Sequence, residues 1–289
     1  MSLGSFLVIL SSLAFGTLAL FAQRSYEAGF GQITLLMVRF GIATLLLMAL
    51  ALWKRPKWPS KSKKGGLLIM GALYVGQSYT FFAALKHIPA SMVSLLLYLY
   101  PGIVTLAAVL FFQERMFARK WIAVGLAIAG SILIVGVSGN TNLPGVLFGV
   151  GTAIFYSAYL LVGSKTLESV DSLASSTIVM AVAAVAYTVM ALIQGLQWPI
   201  ESSGWTWAIF LAVIPTFIAI TTLLAGLERV GPVATSTLAA VEPLATAALS
   251  VAFLGERMGV IQILGGGCIL AAVFILAKAA KPAAAPSTP

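Results

Sequence analysis

Glu242 is the first residue of this 289-residue chain that demands a chemical explanation. It is the only acid that falls in the middle of a long apolar run. A charge at that depth in a bilayer costs at least ~2.5–3.5 kcal/mol, so the carboxyl is protonated, paired or turned to water. Two roles stay open for it: a substrate-contacting or proton-exchanging carboxylate, or a neutral acid bonded to the carbonyls that the next residue, Pro243, sets free. Around it stand tyrosines that keep away from run ends: Tyr79, Tyr98, Tyr100, Tyr156 and Tyr159. Thr152, Tyr156 and Tyr159 share one helical face by their i, i+4, i+7 spacing, Ser91, Ser94 and Tyr98 make a similar stripe, and Gln77 adds an amide. Aromatic walls with a few hydroxyl and amide handles suit an amphipathic solute of amino-acid size. The competing role for these groups is hydrogen-bonded glue between helices. Hydrolytic or metal chemistry needs clustered acids, histidines or cysteines, and one His87 and one Cys268 do not supply them.

Elements that position such groups must lie in lipid. The chain is 60% hydrophobic and 9% charged with a mean hydropathy of +1.04, whereas soluble domains carry about a quarter charged residues. A bilayer crossing takes about 20 apolar residues, and the continuous runs rule out the alternation of a transmembrane barrel. Ten helical spans are expected, at 3–22, 32–53, 65–85, 91–112, 118–137, 144–163, 173–196, 204–226, 232–254 and 260–279. The first run lacks a basic leader segment and reads as a retained span. Nine residues of net positive charge sit between the runs, which marks topology and argues against a nucleic-acid partner. With a cytoplasmic N-terminus, 13 of the 17 Lys and Arg face inward and three, Arg24, Lys86 and Arg257, face outward. Arg39 lies inside the second span, where it either snorkels outward or pairs internally. The six Trp fall near span ends as interface anchors.

The sequence also repeats. A shift of 142 residues lays Glu114-Arg115-Met116 on Glu256-Arg257-Met258, Pro101 on Pro243, Ser94 on Ser236 and Gly125 on Gly267. Gly4 and Arg24 fall on Gly145 and Lys165 at a shift of 141. Five spans per copy is an odd number, so the second copy enters the membrane inverted, as in alternating-access carriers. The expected division is a first repeat over 1–139, an inverted second repeat over 140–280 and a disordered tail over 281–289. Pro101 and Pro243, central in the fourth and ninth spans, are candidate hinges that free the carbonyls of Leu97 and Ala239.

The run Val241-Glu242-Pro243-Leu244, then Phe253-Leu254-Gly255-Glu256-Arg257-Met258, Gln262 and Gly265–Gly267, resembles the second repeat of the EamA family of the drug/metabolite transporter superfamily. Tyr100-Pro101 and Phe112-Gln113-Glu114-Arg115 resemble the first repeat, with Gln113 where the pattern usually has Gly; Val38-Arg39-Phe40 also fits. The resemblance implies a ten-helix secondary carrier without cofactors, often an exporter of amino acids or other small metabolites. It also implies a cavity among the first, third, fourth, sixth, eighth and ninth helices.

The reading is an all-α polytopic membrane protein that exports a small amphipathic metabolite, amino acids foremost, across the inner membrane. Both termini are expected in the cytoplasm. The expected partners are the solute, the bilayer and protons, with the chain acting as a monomer or homodimer. The candidate solute-binding residues are Gln77, Tyr79, Ser94, Tyr98, Tyr100, Tyr156, Tyr159 and Glu242. A multidrug cation antiporter is the alternative, although neither the first nor the sixth span carries an acid; a non-transporting scaffold is a third.

Overall fold

The computed structural model describes residues 2–112, 117–136, 142–168 and 170–279, and among these every regular element is helical. The Glu114 triplet, the boundary near 139 and the tail over 281–289 lie outside the described residues. The spans are α1 (Leu3–Glu27), α2 (Gln32–Lys54), α3 (Lys61–Ala84), α4 (Ala90–Phe111), α5 (Ala118–Gly136), α6 (Leu143–Thr166), α7 (Ser172–Gln194), α8 (Ser203–Gly231), α9 (232–254) and α10 (Val260–Ala279). The chain is a ten-span membrane protein of two inverted five-helix repeats. Large apolar side chains such as Leu45, Leu110, Phe111 and Ile193 lie exposed, as a surface that faces lipid requires.

Sequence chemistry explains the ends. Asp171 caps α7 by accepting from the backbone N–H groups of Leu173 and Ala174 at 2.8 and 3.2 Å. Gly231 turns α8 into α9 with φ 76° and ψ 170°, a corner that favours glycine. Helix α1 runs five residues past the expected 22 because its polar end finds partners. Gln23 donates to the Leu85 carbonyl at 2.7 Å, and Arg24 donates to Glu27 at 2.7 Å and to the Phe253 carbonyl. Helix α3 starts four residues early, at Lys61, through a basic turn that apolar runs do not register.

Packing follows the duplication. Helix α1 packs on α8 and α3 on α6, while α2 meets α7, α4 meets α9 and α5 meets α10. Exchanging the repeats leaves this pairing unchanged. The same symmetry reaches single contacts. Ser11 donates to the Ala219 carbonyl at 2.7 Å, and its counterpart Thr152 donates to the Gln77 carbonyl at 2.7 Å. A Cβ added to Gly4 would strike Arg229 and Val230, and one added to Gly145 would strike His87 and Ile88, which lie 142 residues earlier. On the α5–α10 seam, Gly130 and Gly265 face each other's carbonyls, and the image of that contact, Ala123 with Ala272, is buried in one cluster. Both proline breaks are present: regular helix stops at Leu97 and resumes at Tyr100 in α4, and stops at Ala239 and resumes at Val241 in α9. The break in α1 at Thr17 and the π-helix Val213–Ile218 inside α8 have no such images.

A Cβ at Gly130 would lie 2.5 Å from the Gly265 carbonyl oxygen, whereas one at Gly125 meets nothing within 4 Å. Gly130→Leu is therefore expected to destabilise the purified protein by about 1–3 kcal/mol, the usual penalty of overpacking. Gly125→Ala is expected to leave melting in detergent nearly unchanged, and thermal denaturation of the two variants checks the difference.

Candidate functional site

A cavity of about 410 Å³ lies between the repeats, with α1–α4 and α6–α9 contributing to its wall. Among the lining residues, α5 and α10 supply none. The cavity reaches from Ser94, one turn inside the end of α4, to Leu167, Ser172 and Leu227 at the ends of α6, α7 and α8. That second group lies on the face that carries the N-terminus.

Seven of the eight candidate binding residues line it: Gln77, Ser94, Tyr98, Tyr100, Tyr156, Tyr159 and Glu242. Tyr79 does not. Two residues past Gln77 on α3, it turns away to pack edge-on against Phe148, with ring centroids 6.5 Å apart. The tyrosines form a connected wall. Tyr98 contacts Tyr100 at 5.8 Å, Tyr100 meets Tyr156 edge-on at 4.8 Å, and Tyr156 stacks on Tyr159 at 5.9 Å. Tyr74 continues the wall, 5.6 Å from Tyr159 and 5.8 Å from Phe40. Ser157 holds the arrangement from behind by donating to the Tyr100 carbonyl at 3.2 Å.

The Tyr98 hydroxyl donates to the Ala239 carbonyl at 3.2 Å. That carbonyl is the one whose helical donor Pro243 removes. A side chain of the first repeat thus satisfies the break in the second, and it leaves the Glu242 carboxyl free of that task. Glu242 lies in the wall beside this junction. Among the described residues no Lys, Arg or His forms an ion pair with Glu242.

Arg39 is the functional group that sequence reasoning left out of the site. Of its two expected settings it takes the internal one, with partners that are not acids: it is 3% exposed and lines the same cavity. Its Nε donates to Thr216 Oγ1 at 2.9 Å, and its guanidinium lies 4.8 Å from the Phe40 ring and 5.3 Å from the Phe82 ring. Thr216 is delivered by the π-helix, where its hydroxyl donates to the Leu211 carbonyl five residues back. Pro215, the one signal of that distortion in the sequence, lacks the amide an unbroken α-helix needs. Tyr74 was also passed over, although it shares the Gln77–Ser78–Phe81 face of α3 at i, i+3, i+4 and i+7.

At the opposite face from the N-terminus the repeats are tied together. The Glu256 carboxylate accepts from the N–H groups of Ala90 and Ser91 and from the Ser91 hydroxyl, which caps α4 from the α9–α10 connection. Arg24 bonds the end of α9 through the Phe253 carbonyl. The cavity thus ends beneath a cross-linked face.

The model of the EamA-like transporter family matches residues 2–136 and 143–278. The chain belongs to this family. As an EamA-like transporter it is 25% identical over 275 residues to an uncharacterized transporter of Archaeoglobus fulgidus, covering 95% of this chain and 96% of that one. It is 24% identical over 241 residues to the threonine/homoserine exporter RhtA of Escherichia coli, covering 81% and 78% respectively. An uncharacterized transporter of Bacillus subtilis, YcbK, is 24% identical over 91% of this chain and 89% of its own length. A solved crystal structure shares the fold at a TM-score of 0.70 and 21% identity, covering 96% of this EamA-like chain and 99% of its own.

Glu256→Ala removes an acceptor from three donors at the tied face. In a Cys268→Ala background, a single cysteine at position 94 is expected to react faster with a membrane-impermeant thiol reagent applied from that face once Glu256 is Ala. An unchanged labelling rate would show that the cap does not close this side.

Proposed function

We propose that the chain is a secondary active transporter that exports a small amphipathic metabolite, an amino acid foremost, by alternating access. The observation that carries this reading is a cavity of about 410 Å³ at the junction of two inverted repeats, walled by tyrosines and holding a carboxyl that forms no ion pair among the described residues. Its volume falls within the ~300–1,000 Å³ of small-molecule sites. Rocking of one repeat against the other would exchange the tied face and the face toward which the cavity runs, with the breaks before Pro101 and Pro243 as hinges. The likeness to a threonine/homoserine exporter supports an amino acid as cargo.

The protein works in the cell's inner membrane with both termini in the cytoplasm, a reading supported by the 13-to-3 excess of cations on that side. The cavity then runs toward the cytoplasm, where an exporter loads. Export draws on a proton or on the solute's own gradient, with Glu242 as the group able to exchange a proton with it; the role is transport and not catalysis. A second reading, an organic-cation antiporter, is favoured by one observation: a lone carboxyl among ring faces also suits a cation.

Counterflow in proteoliposomes, with a panel of amino acids, nucleosides and organic cations, separates these readings. Exchange of amino acids alone is expected; exchange confined to the cations would replace the first reading with the second. Glu242→Gln is expected to flatten the dependence of transport on pH while leaving expression intact. A variant whose pH profile matches wild type would make the carboxyl structural.

A further inference from the structure

The connection between α2 and α3 holds six of the chain's 17 Lys and Arg, from Lys54 to Lys64, and no acid. It lies on the face that carries the N-terminus. Beside it opens a second cleft, of about 430 Å³, lined by Trp58, Pro59, Lys64, Leu68 and Ile178. Four of these belong to the first repeat and Ile178 to α7 of the second, so the cleft straddles the seam between the halves. Its chemistry changes with depth. Lys64 stands in the first turn of α3, and Leu68 lies one turn further along the same side. Leu68 is seven residues past Lys61 and Ile178 six past Ser172, ~10 Å below the helix starts at about 1.5 Å per residue. One end of the cleft is thus cationic and the other apolar. Lys63 is committed elsewhere, donating to the Lys165 carbonyl at 3.1 Å, while Lys64 forms no ion pair among the described residues.

The second repeat has its own version of this connection. Its counterpart, 195–202, keeps the Trp-Pro pair as Trp198-Pro199 but carries Glu201 and no cation. There the loop is held down by the protein itself. Gln197 N–H donates to Thr34 Oγ1 at 2.9 Å, the Gln197 carbonyl accepts from Gly31 N–H at 3.0 Å, and Ile200 N–H donates to the Ala28 carbonyl at 2.9 Å. Trp198 stacks on Trp205 with ring centroids 5.4 Å apart. In the basic copy the tryptophan borders a cleft instead, 49% exposed, above a Leu68 that is 55% exposed. Such a surface calls for an occupant with a negative head and a long apolar body.

We propose that the cleft binds one anionic phospholipid from the leaflet on the N-terminal side. Lys64, with the exposed Lys57 and Lys61 of the same connection, takes the headgroup phosphate. Trp58 covers the glycerol region, and an acyl chain runs down past Leu68 and Ile178. Clusters of about four to eight cations beside a span, and basic pockets between spans, hold anionic headgroups through the same attraction. The lipid touches both repeats, on the two helices that also supply Tyr74 and Val179 to the central cavity. The assignment does not depend on what that cavity carries.

Native mass spectrometry of the purified full chain, titrated with phosphatidylglycerol or with phosphatidylcholine of the same acyl chains, tests it. Wild type is expected to retain one phosphatidylglycerol about fivefold or more in preference to phosphatidylcholine. Lys64→Gln is expected to lower that preference about fivefold, the worth of one cation at a membrane surface. Leu68→Trp, which fills the apolar end, is expected to weaken phosphatidylglycerol binding with all six cations in place. Arg119→Gln removes a cation from the same face away from the cleft and is expected to bind as wild type does. Millimolar glycerol 1-phosphate, the free headgroup ester, is expected not to displace the lipid. Equal retention of the two lipids by wild type would overturn the site without any variant having to fold. Equal losses in Lys64→Gln and Arg119→Gln would replace it with a diffuse positive surface, and unchanged binding by Leu68→Trp would move the lipid out of the cleft. Displacement by glycerol 1-phosphate would make the ligand a soluble phosphate ester and overturn the lipid.

Discussion

A backbone carbonyl within a bilayer has to find its donor inside the protein, and this fold is arranged around that requirement. Helices meet it by themselves, but a carrier also needs places where a helix is interrupted. Each interruption exposes a carbonyl that another element must answer. The junction of α4 and α9 shows how: Pro243 frees the Ala239 carbonyl, and Tyr98 from the other repeat fills it. The bond couples the two halves at the depth where the cavity lies. Ser11 on Ala219 and Thr152 on Gln77 also join the repeats, tying α1 to α8 and α6 to α3 by hydroxyls that donate to carbonyls of unbroken helix. Tyr98 thus serves both the cavity wall and the backbone hydrogen bonding of the broken helix.

Symmetry sets the framework and its violations set the chemistry. Glu242 stands at the position whose counterpart is Tyr100, and Arg39 is answered by a π-helix that the first repeat lacks. The face tied by Glu256 and Arg24 and the face toward which the cavity runs are also unlike. Two copies of one scaffold therefore hold one asymmetric site.

Most of the scaffold was legible because its causes are local in sequence. Apolar runs of bilayer length, an odd number of spans per copy and paired prolines sufficed for the ten helices, the inversion and both breaks. The tyrosine wall was partly legible, since Tyr156 and Tyr159 share a helical face and Tyr98 continues the serine stripe. Tyr79 was drawn in by residue type alone, and helical rotation carries it away from Gln77. Arg39 was missed for a different reason. Its setting depends on Thr216, which lies 177 residues away and reaches it only through a change of helix type. No periodicity within α2 encodes that meeting. The extra turns of α1 escaped for the same cause, because Arg24 is tolerated there by a carbonyl 229 residues on.

The α5–α10 seam bears on how such a chain can change over generations. Gly130 against Gly265 and Ala123 against Ala272 are two copies of a single contact, set on either side of the twofold axis. In an undivided ancestral unit paired with its own inverted twin, any enlargement of one of those residues would have appeared on both sides at once. Smallness there is inherited under a double constraint. Glu242 and Tyr100 occupy equivalent positions of the two copies and yet differ, so at that place the copies have parted company.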